Sequence, residues 1–454
     1  MDGLEKISVF QIDDAAAVKY LKDATQILAE YAWMYNVRNT DIFLHNVLEN
    51  IPSSWCEALN DLPKEDFCRL PFNLIKDEWP PSLSLFVSEC HQLGNFRFSP
   101  STLQEIQKTA EKSNYVPEKV TSKKQFEIGI MASLIGKVCQ DLDCHLVLDI
   151  GSGLGYLDQV LHHRFKLKCI GLDSSVKYTV AAEDRIKNDS CKNSMHHRTL
   201  EVTHSEKCLE DIKSILNEHN WECSCSCCSK KASGSVAMVG LHSCGNLAQD
   251  MMKLFCQMDD IVALVCVGCC YNKINLIDFP MSKTAQGSLR EVCVKFPEWS
   301  PCTSGLRVAA HGTRSHSINA LVDSRTSKCV FYRALMEYYV KKKNITWQQP
   351  KRHIRKADLL DFETYCRNML SNHPLGKDET TFKNLNNLFD EKLHLFSRVK
   401  ILLVLQLLLQ PLWEGFITVD RVLYFREKSM SANVLALWDD AKSSRNLALC
   451  VYKR

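Results

Sequence analysis

The clearest indication of a functional site comes from two acids and three glycines between positions 149 and 173. The segment 147–157 reads Val-Leu-Asp-Ile-Gly-Ser-Gly-Leu-Gly-Tyr-Leu, and a second acid, Asp173, follows farther along. Glycine adopts positive φ angles readily and lets a ligand approach the backbone without a Cβ in the way. In open α/β sheets, ligands bind where the first strand turns into its helix. The pattern therefore predicts a ligand loop at 149–155.

The identity of that ligand follows from the glycine spacing and from the charges. A dinucleotide fingerprint reads GxGxxG, whereas this loop reads GxGxG with Tyr156 in the place of the last glycine. Asp149 would repel a pyrophosphate but suits an ammonium group, and Asp173 has the spacing at which an acid meets ribose hydroxyls. S-adenosylmethionine carries both groups, so it is the predicted cofactor, and nicotinamide-dependent redox chemistry is disfavoured. The predicted cofactor-binding residues are Asp149, Gly151, Ser152, Gly153, Gly155, Tyr156, Leu157, Asp173, Ser174 and Leu241.

Side chains that follow the fourth and fifth predicted strands should face the methyl group of that cofactor. His242 is the candidate general base or acceptor-positioning residue, and Tyr271 is the candidate that orients a planar acceptor. Both fit ordinary turn and core roles equally well. Cys244, Cys269 and Cys270 suggest a further mechanism, in which a thiolate adds to a pyrimidine ring before methylation of its C5 atom. The predicted catalytic residues are His242, Tyr271 and Cys270.

The elements that must position these residues alternate between apolar strands and helices, as in a doubly wound parallel sheet. Two more β-rich runs near the C-terminus predict an antiparallel pair added to that sheet. The predicted fold class is therefore α/β, with a Rossmann-like sheet. The predicted helices are 123–141 and 156–165, and the predicted strands are 145–150, 168–172, 198–202, 236–241, 261–267, 416–425 and 447–452.

A chain of 454 residues is expected to form two or three compact units. We predict a helical N-terminal region at 1–115, the Rossmann-like core at 116–280, a helical insertion at 281–400, and a C-terminal helix and strands at 401–454. The apolar run 401–409 is about half the length of a membrane-spanning helix. We expect it to be a buried core helix.

Composition narrows the class of protein further. The net charge of +3 does not indicate a globally basic nucleic-acid binder, although basic clusters stand at 341–343 and 351–356. The N-terminus lacks a signal-peptide pattern, and the 22 cysteines then fit thiols in a reducing compartment. We expect a soluble, intracellular protein of the cytoplasm or nucleus, without membrane association. The cysteine-rich segment 223–228 lacks a second zinc knuckle, so it reads as a flexible loop, and no metal site is predicted.

Taken together, these residues resemble the class I methyltransferase family. More narrowly, they resemble the methyltransferase-like protein 25 family, which includes relatives labelled as ribosomal RNA adenine dimethylase domain-containing. The resemblance runs from about residue 120 to the C-terminus. It implies a seven-stranded sheet with the cofactor at the Asp149 loop. The narrower matches are Ser122-Lys-Lys-Gln-Phe-Glu127, Gly240-Leu-His-Ser-Cys-Gly-Asn-Leu247, Val267-Gly-Cys-Cys-Tyr271, Phe279-Pro-Met-Ser282, Asp420-Arg421 and Ser444-Arg-Asn-Leu447.

The resemblance also bears on the acceptor. The His-x-Cys-Gly motif at 242–245 and the Cys-Cys pair at 269–270 are similar to motifs of a tRNA 2′-O-methyltransferase family. Adenine-N6 enzymes carry an Asn/Asp-Pro-Pro-Tyr tetrapeptide where this chain has His242-Ser-Cys-Gly245, which argues against adenine dimethylation. We expect a methyltransferase whose acceptor is RNA (tRNA or rRNA) or a protein of the translation machinery. The alternative is a non-catalytic S-adenosylmethionine-binding or scaffold protein that keeps the fold.

Overall fold

The computed structural model describes residues 13–94, 106, 115, 117–189, 191–218, 234–348, 350 and 354–453. The chain divides into two compact units. The first comprises Met1–Lys22, Arg97–Glu291 and Phe416–Arg454, and the second comprises Asp23–Phe96 and Val292–Gly415. The two units each join segments that are distant in sequence. The sequence-based division into four consecutive segments, with boundaries near 115, 280 and 400, therefore stays a prediction.

The first unit contains a seven-stranded mixed sheet. Its strands are β1 Leu146–Ile150, β2 Lys168–Asp173, β3 Met195–Thr199, β4 Val236–Ser243, β5 Ile261–Gly268, β6 Ser431–Ala436 and β7 Leu447–Tyr452. The order across the sheet is β3-β2-β1-β4-β5-β7-β6. Strands β1 to β5 are parallel, and β7 runs antiparallel to both β5 and β6. The α/β Rossmann-like fold predicted from the sequence is confirmed.

The helices of the described residues are numbered along the whole chain. They are α1 Asp14–Glu30, α2 Ser53–Asn60, α3 Lys64–Arg69, α4 Pro81–Gly94, α5 Ser122–Asp141, α6 Tyr156–Phe165, α7 Val176–Ile186, α8 Glu206–Glu218, α9 Asn246–Gln257, α10 Lys283–Lys295, α11 Thr303–Ala309, α12 Arg314–Val322, α13 Arg325–Lys342, α14 Phe362–Leu370, α15 Glu379–Lys392 and α16 Phe396–Arg426.

Both faces of the sheet are covered, which explains the nearly continuous apolar sequence of its strands. In β1, Val147 joins the core cluster that includes residues of α5 and α6. Leu146, Leu148 and Ile150 join the cluster on the opposite face, with residues of α8 and α9. Because side chains alternate along a strand, Asp149 shares the face of Val147. The predicted acid is therefore held at the end of a strand that packing fixes from both sides.

Two strand predictions are corrected by the structure. The third strand is Met195–Thr199, three residues earlier than predicted, and residues 416–425 are helical because they continue α16. That segment is rich in Ile, Val, Tyr and Phe, a composition that suits a fully buried helix as well as a strand. The expected antiparallel pair exists, but its first member is β6.

The apolar run 401–409 lies in a buried helix, as predicted. Within α16, Val404, Leu405 and Leu408 are fully buried, and the helix continues past Pro411 to Arg426 instead of ending there. By length and composition one stretch, Glu379–Arg426, would be long enough to cross a membrane, but 94% of its apolar window is buried inside the structure.

The second unit is helical and has an aromatic core. Phe331 on α13 makes edge-on ring contacts with Phe43, Phe389 and Phe396, at centroid distances of 5.4 to 6.0 Å. Offset and edge-on aromatic pairs of this kind add about 0.5–1.5 kcal/mol beyond the area that they bury. Trp55 is also buried here. This unit therefore has a core of its own.

Candidate active site

The glycine-rich loop leaves the carboxyl end of β1 and is tied to the end of β2. Gly151, Gly153 and Gly155 have φ angles of 77°, 58° and 68°, which side chains with a Cβ rarely adopt. The backbone N–H groups of Gly151 and Ser152 donate to the carbonyl oxygen of Leu172 at 2.7 and 3.1 Å. The three glycines are needed because the chain makes a tight turn there with three positive φ angles.

Asp173 points into this loop. Its Oδ2 accepts a hydrogen bond from the backbone N–H of Gly153 at 3.0 Å, and its Oδ1 accepts one from Ser175 at 2.9 Å. A carboxylate oxygen has two lone pairs, so each oxygen keeps capacity for a ligand hydroxyl. The acid at the end of β2 and the loop after β1 thus form one rigid unit.

The loop leaves open space for a ligand. A Cβ built on Gly153 would meet nothing within 4 Å, and one built on Gly151 would meet only the Leu247 side chain, at 3.3 Å. The hydroxyl of Ser152 is buried without a hydrogen-bond partner among the described residues. Buried polar groups normally have partners. The cradle and the unpaired hydroxyl both fit a bound polar molecule.

Two buried acids lie beneath the loop. Burial and the charge of Asp173 raise the pKa of Asp149 to about 7, although Asp158 and Lys124 act to lower it. Burial and the charge of Asp149 raise the pKa of Asp158 well above its ordinary value. Buried charge is costly unless it is paired. A cationic ligand beside Asp149 would favour the charged form of this acid further, and the ammonium group of S-adenosylmethionine is such a cation.

His197 supports the loop from below, and nothing in the sequence pattern singled it out. A Cβ on Gly155 would lie 2.5 Å from the His197 ring, and a Cβ on Gly171 would lie 2.4 Å from it. Burial lowers the pKa of His197 to about 4. The ring is therefore neutral at physiological pH and packs where no further carbon atom fits.

The remaining predicted cofactor residues lie at different depths. Tyr156 and Leu157, at the start of α6, belong to the buried core. The Tyr156 ring lies under the cations of Lys124 and Arg185, at 4.6 and 4.2 Å, and its hydroxyl donates to the Lys119 carbonyl at 3.3 Å. Ser174 is exposed and Leu241 is half-buried. A direct role for these four residues in binding stays a prediction.

His242 follows the core of β4 and is held by an acid from α5. Its backbone φ is 65°, and its Nε2 atom lies 3.0 Å from Glu127 Oε2. Burial alone would raise the pKa of Glu127, but hydrogen bonds with His242 and Ser443 outweigh burial and lower it. A buried carboxylate that binds one ring nitrogen fixes the orientation of the imidazole. Glu127 ends the motif Ser122-Lys-Lys-Gln-Phe-Glu127, but only the fold shows that its partner is His242.

Tyr271 follows β5 and is 3% exposed. The guanidinium groups of Arg421 and Arg445 lie 5.4 and 5.7 Å from its ring centroid. Two cations around a buried ring make this corner electropositive. The structure thus surrounds Tyr271 with arginines, and its predicted stacking on an acceptor stays a prediction.

The three cysteines named as candidates come together at the ends of β4 and β5. The Sγ atom of Cys244 lies 2.9 Å from that of Cys269 and 3.4 Å from that of Cys270. A hydrogen bond from the Cys269 thiol stabilises the thiolate of Cys244 and lowers the pKa of Cys244 to about 5. The same interaction raises the pKa of Cys269. Cys244 is accordingly the most readily ionised thiol of the three.

Two other motifs, Phe279-Pro-Met-Ser282 and Asp420-Arg421, meet at the beginning of α10. Asp420 is buried and accepts hydrogen bonds from the backbone of Met281 and Ser282, at 2.9 and 2.8 Å, and from the Ser282 hydroxyl at 2.8 Å. Burial raises the pKa of Asp420 to about 6, against the effect of these bonds. These motifs therefore have a visible structural role. The cysteine-rich segment 223–228 and residues 351–353 lie outside the described residues.

The family described as "Methyltransferase domain" matches residues 123–276, which run from α5 through the end of β5. The fold of this part of the chain is the class I methyltransferase fold. The five parallel strands, the glycine-rich loop and the acid at the end of β2 are inside the matched residues, whereas β6 and β7 lie outside them. S-adenosylmethionine, the predicted cofactor, is consistent with this methyltransferase domain.

The chain is also similar to two curated proteins named "Probable methyltransferase-like protein 25". It is 27% identical to the one from Homo sapiens and 24% identical to the one from Mus musculus, over 236 residues in each case. The match covers 48% of this chain and 37% of each relative. The aligned part is therefore well under half the length of those relatives, and agrees with the resemblance inferred from the motifs.

Solved structures with some likeness to the chain include two methyltransferases. The SAH-bound Podospora anserina methyltransferase PaMTH1 is 14% identical, with a TM-score of 0.22, covering 50% of this chain and 90% of that one. Coclaurine N-methyltransferase bound to N-methylheliamine and SAH is 12% identical, with a TM-score of 0.25, covering 97% and 100%.

Proposed function

We propose that this chain is an S-adenosylmethionine-dependent methyltransferase whose acceptor is an RNA. The observation that carries the methyltransferase proposal is the placement of Asp149 and Asp173 beside an open, three-glycine loop inside the matched methyltransferase domain. The bound cofactor would supply an electrophilic methyl group. The other steps depend on the chain's own residues.

Binding of the cofactor would use the two acids differently. Asp149 would hold the ammonium group of the methionine moiety, because it is a buried acid that forms no salt bridge within the described residues. Asp173 would accept hydrogen bonds from the ribose hydroxyls with the lone pairs that Gly153 and Ser175 leave available. The ligand would lie against the backbone at Gly153, because a Cβ built there would meet nothing within 4 Å.

The acceptor would bind over the ends of β4 and β5. His242 would take a proton from the acceptor, with Glu127 holding the ring and stabilising its protonated form. Methyl transfer needs in-line placement of donor and acceptor, and such placement contributes up to roughly 7–11 kcal/mol. Fixed strand ends are suited to that purpose.

An RNA acceptor is supported by the arginines of the chain. Arg421 and Arg445 make the acceptor corner electropositive. In the second unit, a cavity of about 340 Å³ is lined by Arg38, Arg307 and Arg333, and its lining contains no acidic residue. Guanidinium groups bind phosphate oxygens in a bidentate manner, so these positions suit a polyanion better than a neutral peptide.

Transfer of a labelled methyl group from S-adenosylmethionine onto fractionated total RNA and total protein tests this proposal. We expect label in RNA that is sensitive to ribonuclease and absent with Asp149→Ala. Label in protein alone would replace the RNA proposal with a translation-machinery protein as acceptor. Label in neither fraction, together with measurable cofactor binding, would favour the non-catalytic alternative.

A further inference from the structure

The thiols of Cys244, Cys269 and Cys270 form a cluster that the proposed methyl transfer does not need. Their Sγ atoms are separated by 2.9, 3.4 and 3.5 Å. They are the only group of three or more His, Cys, Asp or Glu ligand atoms of this kind within the described residues. From this arrangement we propose that the cluster is a metal site that binds one zinc ion through three thiolates.

The distances suit a common metal ion. Thiolates bound to one zinc at about 2.3 Å lie roughly 3.8 Å apart in a tetrahedral arrangement. The observed separations of 2.9–3.5 Å are shorter than this by roughly 0.3–0.9 Å, so the three sulfurs would move apart by rotation about the Cα–Cβ bonds to surround an ion. Three thiolates this close repel one another, and a bound cation would offset that repulsion.

The backbone holds the three cysteines in place. Cys244 follows the last residue of β4, and Cys269 and Cys270 follow the last residue of β5. The two strand ends are paired, because Ser243 lies opposite Gly268, and the N–H of Cys269 donates to the Ser243 carbonyl at 3.4 Å. A site carried by two paired strands is more precise than one carried by a free loop.

The fourth coordination position would be open. Among the described residues no further His, Cys, Asp or Glu joins the group, and the carbonyl oxygen of His242 lies 3.3 Å from the sulfurs of Cys244 and Cys269. Zinc sites with three protein ligands and an exchangeable fourth ligand are the reactive kind, whereas structural sites have four. The zinc would lie close to the backbone of His242, which is two residues before Cys244, at the acceptor end of the domain.

The net charge of such a zinc site would be offset by a neighbouring lysine. Three thiolates and one divalent ion leave a single negative charge, and Lys273 interacts favourably with the charged forms of Cys244 and Cys270. Cys244 and Cys270 are also partly exposed, which gives an ion a route of entry. This inference concerns metal binding alone and does not depend on methyl transfer.

Metal content of the reduced, full-length protein tests the site. After loading with zinc and removal of excess metal, we expect about one tightly held zinc per chain. The other cysteine-rich segment must be separated from it, so the same measurement is made on the quadruple variant C223S/C225S/C227S/C228S, which should keep its zinc. The triple variant C244S/C269S/C270S should lose it, and Cys68→Ser, a half-buried cysteine of the second unit, should not.

A second measurement uses the wild-type chain, so its outcome does not depend on whether a variant folds. Mass-spectrometric mapping of alkylation rates on the wild-type chain should show Cys244, Cys269 and Cys270 protected at least tenfold when zinc is present, with Cys68 unchanged. Equal alkylation with and without zinc would overturn the proposal. A disulfide between Cys244 and Cys269 in protein purified under reducing conditions would also overturn it.

The open position is tested with cobalt in place of zinc. Cobalt bound by thiolates has charge-transfer and d–d absorption that reports its ligand set. Addition of a small thiol to the cobalt-loaded protein should change that absorption, because the fourth ligand is exchangeable. An unchanged spectrum would show that the site is closed by a fourth protein ligand and would overturn the open-site proposal.

Discussion

Glu127 Oε2 lies 3.0 Å from Nε2 of His242, across 115 residues of sequence. Glu127 is almost completely buried in α5, and His242 has a positive φ at the end of β4. The acid therefore fixes which face of the imidazole remains available to an acceptor. This pair connects a helix that begins before the cofactor loop with the strand end at which methyl transfer is proposed.

We expect His242→Ala to lower kcat about 100-fold or more, because general-base contributions are of the order of 10²–10⁴. Glu127→Gln should lower kcat by about tenfold, since a neutral amide no longer stabilises the protonated ring. Its pH–rate profile should shift, while the KM for S-adenosylmethionine stays unchanged. A fall in kcat without any change in the pH profile would mean that Glu127 has only a structural role.

Asp149 should make cofactor affinity depend on pH. Its pKa of about 7 in the free protein means that the acid must lose a proton to pair with an ammonium group. Affinity measured by calorimetry should therefore fall about tenfold from pH 8 to pH 6. Asp149→Asn should bind at least tenfold more weakly at pH 8, with a flat pH dependence. Asp184→Ala, an exposed acid on α7, is the matched control.

The same acid should have the opposite effect on stability. A carboxyl group whose pKa is raised by folding stabilises the protein most at low pH, and that contribution is lost progressively as pH rises from the ordinary pKa of 3.8 to about 7. Without ligand, Asp149→Asn should therefore unfold at a higher temperature than the wild type at pH 8. At pH 5 the difference should be smaller, and it should disappear only below the ordinary pKa of 3.8. A lower melting temperature for the variant at pH 8 would contradict the assigned direction of the shift.

Two glycines of the loop should differ in their tolerance of alanine. Both have positive φ angles, which cost an alanine about 1–2 kcal/mol. Gly155→Ala also brings a methyl group 2.5 Å from the His197 ring, whereas Gly153→Ala meets nothing within 4 Å. Urea unfolding should show that Gly155→Ala is at least about 1 kcal/mol less stable than Gly153→Ala. Equal losses would mean that the ring moves aside freely.

Asp420 should contribute strongly to stability through the beginning of α10. Asp420→Ala removes three hydrogen bonds in a buried place, and we expect a loss of about 2–4 kcal/mol in the free energy of unfolding. Glu427→Ala is the control, because Glu427 also accepts from the backbone of Lys283 and Thr284 but is exposed. That variant should lose less than about 1 kcal/mol.

Arg307 offers a test of the RNA proposal in the second unit. If the cavity binds phosphate, Arg307→Ala should weaken RNA binding and reduce the slope of log affinity against log salt concentration by about 0.7–0.9. Arg307→Lys keeps the charge and should retain the slope. A variant with an unchanged slope would show that this cavity does not contact the acceptor.

Local sequence determined the central part of this protein. Strand, glycine-rich loop, helix and acid follow one another within residues 146–173, and hydrophobic periodicity and positive-φ glycines are local properties, so the cofactor loop could be predicted. Residues 416–425 could not be assigned correctly, because a buried helix and a buried strand share the same apolar composition. Only packing against the sheet decides between them.

The tertiary structure decided which distant residues meet. The bond between Glu127 and His242, the support of Gly155 by His197 and the convergence of Cys244 with Cys269 all depend on strand order and register. Parallel strands bring their carboxyl ends together at one edge, whatever their separation in sequence. Sequence shows which side chains are present, whereas the pairing of β4 with β5 sets the distances between their atoms.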